Sequence, residues 1–148
     1  MAISNIDDLE QRLTSLARRW ASDVDIAAAW LHGSRGRGDA RPDSDVDLAV
    51  ILRLGMTDSE RWTKRLELLD VAASALGTDA VDLILMEDAP APVAHRVVRD
   101  GRLIVDRDAH RRVAVVEDVL RRYLDEAWLR RALDEGLRSR LEEGRFAR

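Results

Sequence analysis

Two short stretches of the chain carry residue types suited to phosphate chemistry. The first is Gly33-Ser34-Arg35-Gly36-Arg37-Gly38, and the second is Asp45-Val46-Asp47. In a strand, residues i and i+2 share a face, so Asp45 and Asp47 would project side by side. Two carboxylates that close repel unless a cation lies between them, and hard oxygen donors suit magnesium or manganese. A third acid, Asp82, interrupts the apolar run AVDLILM at 80–86. An ionised carboxylate within a buried strand is costly unless it is paired or metal-bound. If this strand lies beside the one carrying Asp47, three carboxylates from two strands fit a two-metal site for phosphoryl or nucleotidyl transfer. The glycine-rich stretch supplies the other half. Gly33 lets backbone approach a ligand closely. Ser34 heads a turn whose N–H groups and hydroxyl can hold phosphate oxygens, and Arg35 and Arg37 add charge for a triphosphate.

Each part also has a plainer reading. Gly-Ser-Arg-Gly alone is a flexible loop, and Asp-x-Asp at a strand entrance is a common turn device. Residues 43–47 begin like a calcium loop, but Leu48 stands where glycine is needed and Leu54 where the bidentate Glu is needed. No GxxxxGK[ST] occurs, which excludes a P-loop. Arg35 and Arg37 could equally be solvated loop charges, and Asp82 alone a satisfied strand-edge residue. The combination is far more specific than any part. His32 adjoins Gly33 but reads as a satisfied strand-end histidine. Trp20 and Trp30 lie on apolar stripes, which points to core packing rather than base stacking.

The elements that must position these residues follow from periodicity. Residues 5–21 carry Ile6, Leu9, Leu13, Leu16, Ala17 and Trp20 at helical spacing, with Ser4 or Asn5 as a possible cap. Residues 25–32 and 45–53 read as buried strands, joined by a glycine-rich loop (with Pro42) that has room for one helical turn after Ser34. A helix is expected from Thr57 or Asp58 to Leu76, with Trp62, Leu66, Leu69, Ala73 and Leu76 inward and Gly77 as its stop. A strand at 80–86, a short helix to Arg99 and an edge strand at 102–105 come next. Two helices, from Asp108 to about Asp125 and from Ala127 to Glu143, then complete the chain, with a frayed tail. Alternating strands and helices imply an α/β fold: one small mixed sheet, flanking helices and C-terminal helices. Leu129, Leu133, Leu137 and Leu141 form a stripe that must be covered, by this chain, a second copy or a partner.

At 148 residues, the chain has the length of one domain, divisible into a core at 1–107 and a helical extension at 108–148. With 24 basic and 28 acidic residues, the formal charge is −4, which argues against direct nucleic-acid binding. Cysteine is absent, which removes disulfides, zinc–thiolate sites and a cysteine nucleophile. The three histidines, His32, His95 and His110, form no paired ligand spacing. Residues 1–13 read as neither signal peptide nor anchor, and no apolar run reaches membrane length, so a cytoplasmic address is expected.

Gly33-Ser34, ten intervening residues and then Asp45-Val46-Asp47 resembles the signature of the DNA polymerase β-type nucleotidyltransferase superfamily. The compact length and the wording GSRGRGDARPDSDVDLAV are similar to its minimal, MNT-type branch, which includes the antitoxin partners of HEPN toxins. The segment VVRDGRLIVDRD and the arginine-rich helix after it are also similar to these antitoxins. The resemblance implies a nucleotidyltransferase fold in which Gly33 and Ser34 hold the triphosphate of ATP. Asp45 and Asp47 would bind two Mg2+ ions. Asp82 would match the third carboxylate, which helps deprotonate the incoming hydroxyl. The implied activity is transfer of AMP to a tyrosine hydroxyl of a cognate HEPN ribonuclease toxin, silencing it. The competing readings are a nucleotidyltransferase acting on a small aminoglycoside-type molecule and an antitoxin that acts by binding alone. Gly36 replaces an alanine common in the family, which should loosen the turn.

Overall fold

The computed structural model describes residues 6–41 and 43–144. The possible cap at Ser4 or Asn5, Pro42 and the tail from residue 145 onward lie outside the described residues. The elements in chain order are α1 (Ile6–Ala21), β1 (Ile26–His32), α2 (Gly33–Arg37), β2 (Val46–Leu52) and α3 (Asp58–Leu76). They are followed by β3 (Val81–Leu85), α4 (Ala91–Asp100), β4 (Arg102–Asp106) and α5 (Ala109–Glu142).

The sheet has the order β3-β2-β1-β4, which puts β4 at an edge as expected. β1 runs antiparallel to β2 and β4, whereas β2 and β3 are parallel, so the sheet is mixed. Both central strands are buried on both faces, which explains their nearly continuous apolar sequences. On one face, Leu31, Leu48, Val50, Leu52 and Leu83 pack with Leu13, Leu16 and Trp20 of α1 and with Leu68, Ala72 and Leu76 of α3. On the other, Ala28, Trp30, Ala49 and Ile51 meet Ala94 and Val97 of α4 and Val115 and Val119 of α5. Trp20 and Trp30 are therefore core residues.

α3 starts where expected. Thr57 and Glu60 form a reciprocal capping box, and Gly77 stops the helix in the left-handed region at φ 68°. Its inward face matches the expected stripe at Leu69 and Leu76 but not at Trp62 and Leu66. Lys64, Leu68, Ala72 and Leu76 are buried, while Trp62 and Leu66 face solvent. Lys64 can be buried because its ammonium reaches Asp23 at 2.8 Å and Asp25 at 3.2 Å. Burial pulls the Lys64 pKa down, but its bonds to Asp23 and Asp25 outweigh this and leave it above the ordinary lysine value.

The end of the chain also differs from expectation. One continuous 34-residue helix, α5, replaces the two expected. Asp108 caps it by accepting from Arg111 N–H at 3.0 Å. It contains no proline, and its single glycine, Gly136, lies in its last turns without breaking it. Its first turns cover the sheet. From Leu124 to Gly144 every residue except Ala127 is exposed, including the leucine stripe. Among the described residues, no helix is long and apolar enough to cross a membrane.

Candidate active site

The site begins where β1 ends. His32 stands opposite Asp47 in the antiparallel register, and Asp47 stands opposite Asp82 in the parallel one. Because side chains alternate along strands, His32, Asp47 and Asp82 form one row across the sheet. That row lies on the α4 and α5 face, the face of Trp30 and Ala49. Asp45 precedes β2, two residues before Asp47.

At Gly33 the chain turns from β1 into α2 with φ +64°, and a Cβ there would collide with the Asp47 carboxylate. Glycine thus leaves the face of Asp47 open. Gly36 does not loosen the turn as expected. A Cβ there would lie 2.7 Å from the Leu31 carbonyl oxygen, so the missing side chain is what lets α2 sit tightly on the end of β1. The turn closes at Gly38, in the left-handed region, with Gly38 and Asp39 N–H donating to the Ser34 carbonyl.

Arg35 folds back onto the loop. Its guanidinium donates to the Ser44 carbonyl from Nε (3.1 Å) and Nη2 (2.7 Å), which ties down the residue before Asp45. Arg37 pairs with Asp39 at 3.3 Å on the surface and lies near enough to Asp47 to influence it. Gly33, Ser34, Asp45, Asp47 and Asp82 therefore gather at one end of the sheet, while Arg35 and Arg37 serve the loop between them.

The charge at this end is poorly neutralised. Burial pushes the half-buried Asp47 carboxyl above its ordinary value; Asp82 and Asp45 push the same way, against His32 and Arg37. Asp45 and Asp82 are exposed. Burial lowers the His32 imidazole despite Asp47 and a hydrogen bond with the Leu48 backbone, and His32 Nε2 has no hydrogen-bond partner among the described residues, so the histidine is only half satisfied. Asp82 Oδ1 accepts the Leu83 N–H at 2.9 Å. Among the described residues, no three acidic or histidine side chains converge into a preformed metal cage. The donors nevertheless suit a hard cation: they are all carboxylate oxygens, they repel one another, and Gly33 leaves room beside Asp47.

Sequence reasoning missed Arg65. It donates from Nε to the Leu83 carbonyl at 2.9 Å, and its Nη2 lies 3.9 Å from Asp82. Nothing in its spacing marks it, because α3 meets β3 only in three dimensions.

Residues 15–110 match the family described as Polymerase beta, Nucleotidyltransferase. The chain belongs to this nucleotidyltransferase family. Among solved structures, the nucleotidyltransferase fold is shared with a toxin–antitoxin complex crystallised with AMP-PNP. That match has 25% identity and a TM-score of 0.63, covering 86% of this chain and 97% of that one. A Shewanella oneidensis complex of a tri-AMPylated HEPN toxin with an MNT antitoxin matches with 21% identity and a TM-score of 0.61, covering 87% and 98%. An MntA–HepT complex matches with 23% identity and a TM-score of 0.58, covering 86% and 95%. A comparison with curated proteins finds no match.

Proposed function

We propose that this nucleotidyltransferase is an antitoxin that transfers AMP from ATP to a tyrosine hydroxyl of a cognate HEPN toxin. The observation that carries this reading is the row of Asp47 and Asp82 beside Gly33, with Asp45 two residues before Asp47 and only Arg37 and Arg65 as nearby counter-charges. The AMP-PNP and AMPylated toxin found with structural relatives support the choice of nucleotide and acceptor.

Gly33 and Ser34 hold the triphosphate at the α2 turn. Asp45, Asp47 and Asp82 would hold Mg2+, two ions by resemblance, which when bound neutralises phosphate charge and polarises the acceptor oxygen. Asp82, the most exposed member of the row, takes the proton of the acceptor hydroxyl. The hydroxyl oxygen bonds to the α-phosphorus, the bond from that phosphorus to the bridging oxygen breaks, and pyrophosphate leaves with both electrons. Arg35 keeps Asp45 in place through Ser44, and Arg37 adds positive charge at the rim.

Residues 1–107 act as the catalytic core and 108–148 as an extension that meets the partner. The exposed leucines of α5 favour a protein acceptor over a small aminoglycoside-type one. They also keep open an antitoxin that acts by binding alone. The test is intact mass spectrometry of a HEPN toxin, sought as the product of a neighbouring gene, after incubation with ATP, Mg2+ and either wild type or Asp45→Ala. AMP-sized increments with wild type only are expected. A stable complex without increments would leave binding alone as the function.

A further inference from the structure

We infer that the groove beyond the free side of β3 seats the segment of the acceptor protein that flanks its reactive hydroxyl. This rests on the transfer reading above. The donor triphosphate lies at Gly33 and Ser34, at the end of β1. Across the sheet the order is then β1, Asp47 on β2 and Asp82 on β3. In-line displacement puts the attacking oxygen opposite the leaving pyrophosphate. The acceptor must therefore arrive over β3, on the side of Asp82.

A cavity of about 550 Å³ runs along this side of β3 from Arg65, beside Asp82, toward the far end of the strand, between α3, β3 and the start of α4. Trp62, Arg65, Ile84, Leu85, Pro90 and Val93 line it. Its lining is mostly apolar, and its size suits a few side chains. Arg61, also on its wall, is already matched by Asp88 and Glu87, so the groove makes no demand for an anionic ligand. Trp62 is 60% exposed, and the Arg65 guanidinium rests 5.7 Å from its ring centroid. Trp and Arg side chains of this kind dominate binding energy at protein interfaces. Arg65 also joins the groove to the site, since it reaches both Leu83 and Asp82.

The occupant does not add a strand to the sheet. Three outward groups at the middle and end of β3 are already engaged: Leu83 N–H by Asp82, Leu83 carbonyl by Arg65, and Leu85 carbonyl by the turn N–H groups of Asp88 and Ala89. What remains open is a side-chain pocket, which suits the apolar residues around an acceptor tyrosine.

The test measures AMP transfer from ATP to the HEPN toxin sought in that first test by wild type, Trp62→Ala, Trp62→Phe and Val93→Ser, with melting temperature as the check on folding. Trp62→Ala is expected to raise the acceptor KM about tenfold while leaving the ATP KM within about twofold, and Trp62→Phe to recover most of the loss. An unchanged acceptor KM in both Trp62→Ala and Val93→Ser would overturn the proposal. So would altered self-association in ultracentrifugation with an unchanged acceptor KM, which would give the groove to a second copy. If wild type transfers no AMP, complex formation decides. A complex weakened by Trp62→Ala retires the transfer reading but keeps the groove as the partner's seat. An unchanged complex, or none with wild type, retires the groove.

Discussion

The two ends of β2 hold carboxylates in opposite company. At the far end, Glu87 accepts the Leu52 N–H at 2.9 Å and lies 3.4 Å from Arg111 and 3.8 Å from Arg61. Burial raises its pKa, but Arg61, Leu52 and Arg111 all pull against that rise. At the near end, Asp47 is also raised by burial, and although His32 and Arg37 oppose the rise, Asp82 and Asp45 add to it. One end has its cations built in and ties β2, α3 and α5 together. The other gathers like charges with few cations, an arrangement suited to a ligand that brings its own. Buried carboxylates in one sheet can thus be sorted into structural and functional ones by the sign of their neighbours.

The largest expected effect separates these ends by giving activity and stability opposite signs. Asp47→Asn should lower AMP transfer about a thousandfold, the equivalent of the several kcal/mol of charge stabilisation that a held metal supplies. Metal-free, the same variant should melt no lower than wild type at neutral pH. The fold raises the Asp47 pKa, so stability is lost as pH rises from the ordinary carboxylate range through the raised value. Asparagine never ionises and avoids that loss. A lower melting temperature in metal-free Asp47→Asn would show that Asp47 is structural after all.

At the far end the expectation reverses. The double substitution Arg61→Ala and Arg111→Ala strands a largely buried Glu87 and should destabilise the protein by about 3 kcal/mol in urea unfolding, with the ATP KM unchanged. Glu87→Gln tests the same charge through pH. The Glu87 pKa is raised, so wild-type stability should fall as pH climbs from the ordinary carboxylate range through that raised value. The part of this slope due to Glu87 should vanish in the variant. A third substitution strikes the junction between backbone and site. Gly33→Ala places a Cβ in a left-handed conformation and against the Asp47 carboxylate, costing about 2 kcal/mol and most of the activity.

How far these features could be read in advance depended on whether the signal was local. The strands, the α3 capping box and the Gly33 turn are written within a few residues each. The pairing of Asp47 with Asp82 followed from an assumed strand order that β3-β2-β1-β4 bears out. The face of α3 was illegible because Trp62, Leu66, Leu68 and Leu69 surround the helix. The choice between them is made by Lys64, which turns inward only because Asp23 and Asp25 await it. That Arg35 would also brace the loop could not be read, because its carbonyl partner, Ser44, leaves no trace in residue type. The leucine repeat of α5 was visible, but the length of the helix that carries it beyond the body was not.

That helix gives the smallest expected effect and the sharpest contrast with both ends of β2. Leu133 is 63% exposed, on a part of α5 with no buried residue. Its removal creates no cavity and strands no polar group, so Leu133→Ser should change stability by less than about 0.5 kcal/mol. If the second half of α5 serves only this chain, nothing else should change either. If it meets a partner, the variant should bind the HEPN protein more weakly while melting like wild type, as isothermal titration and thermal unfolding would show. An exposed leucine contributes little to its own fold, so its contribution can be read only in a complex.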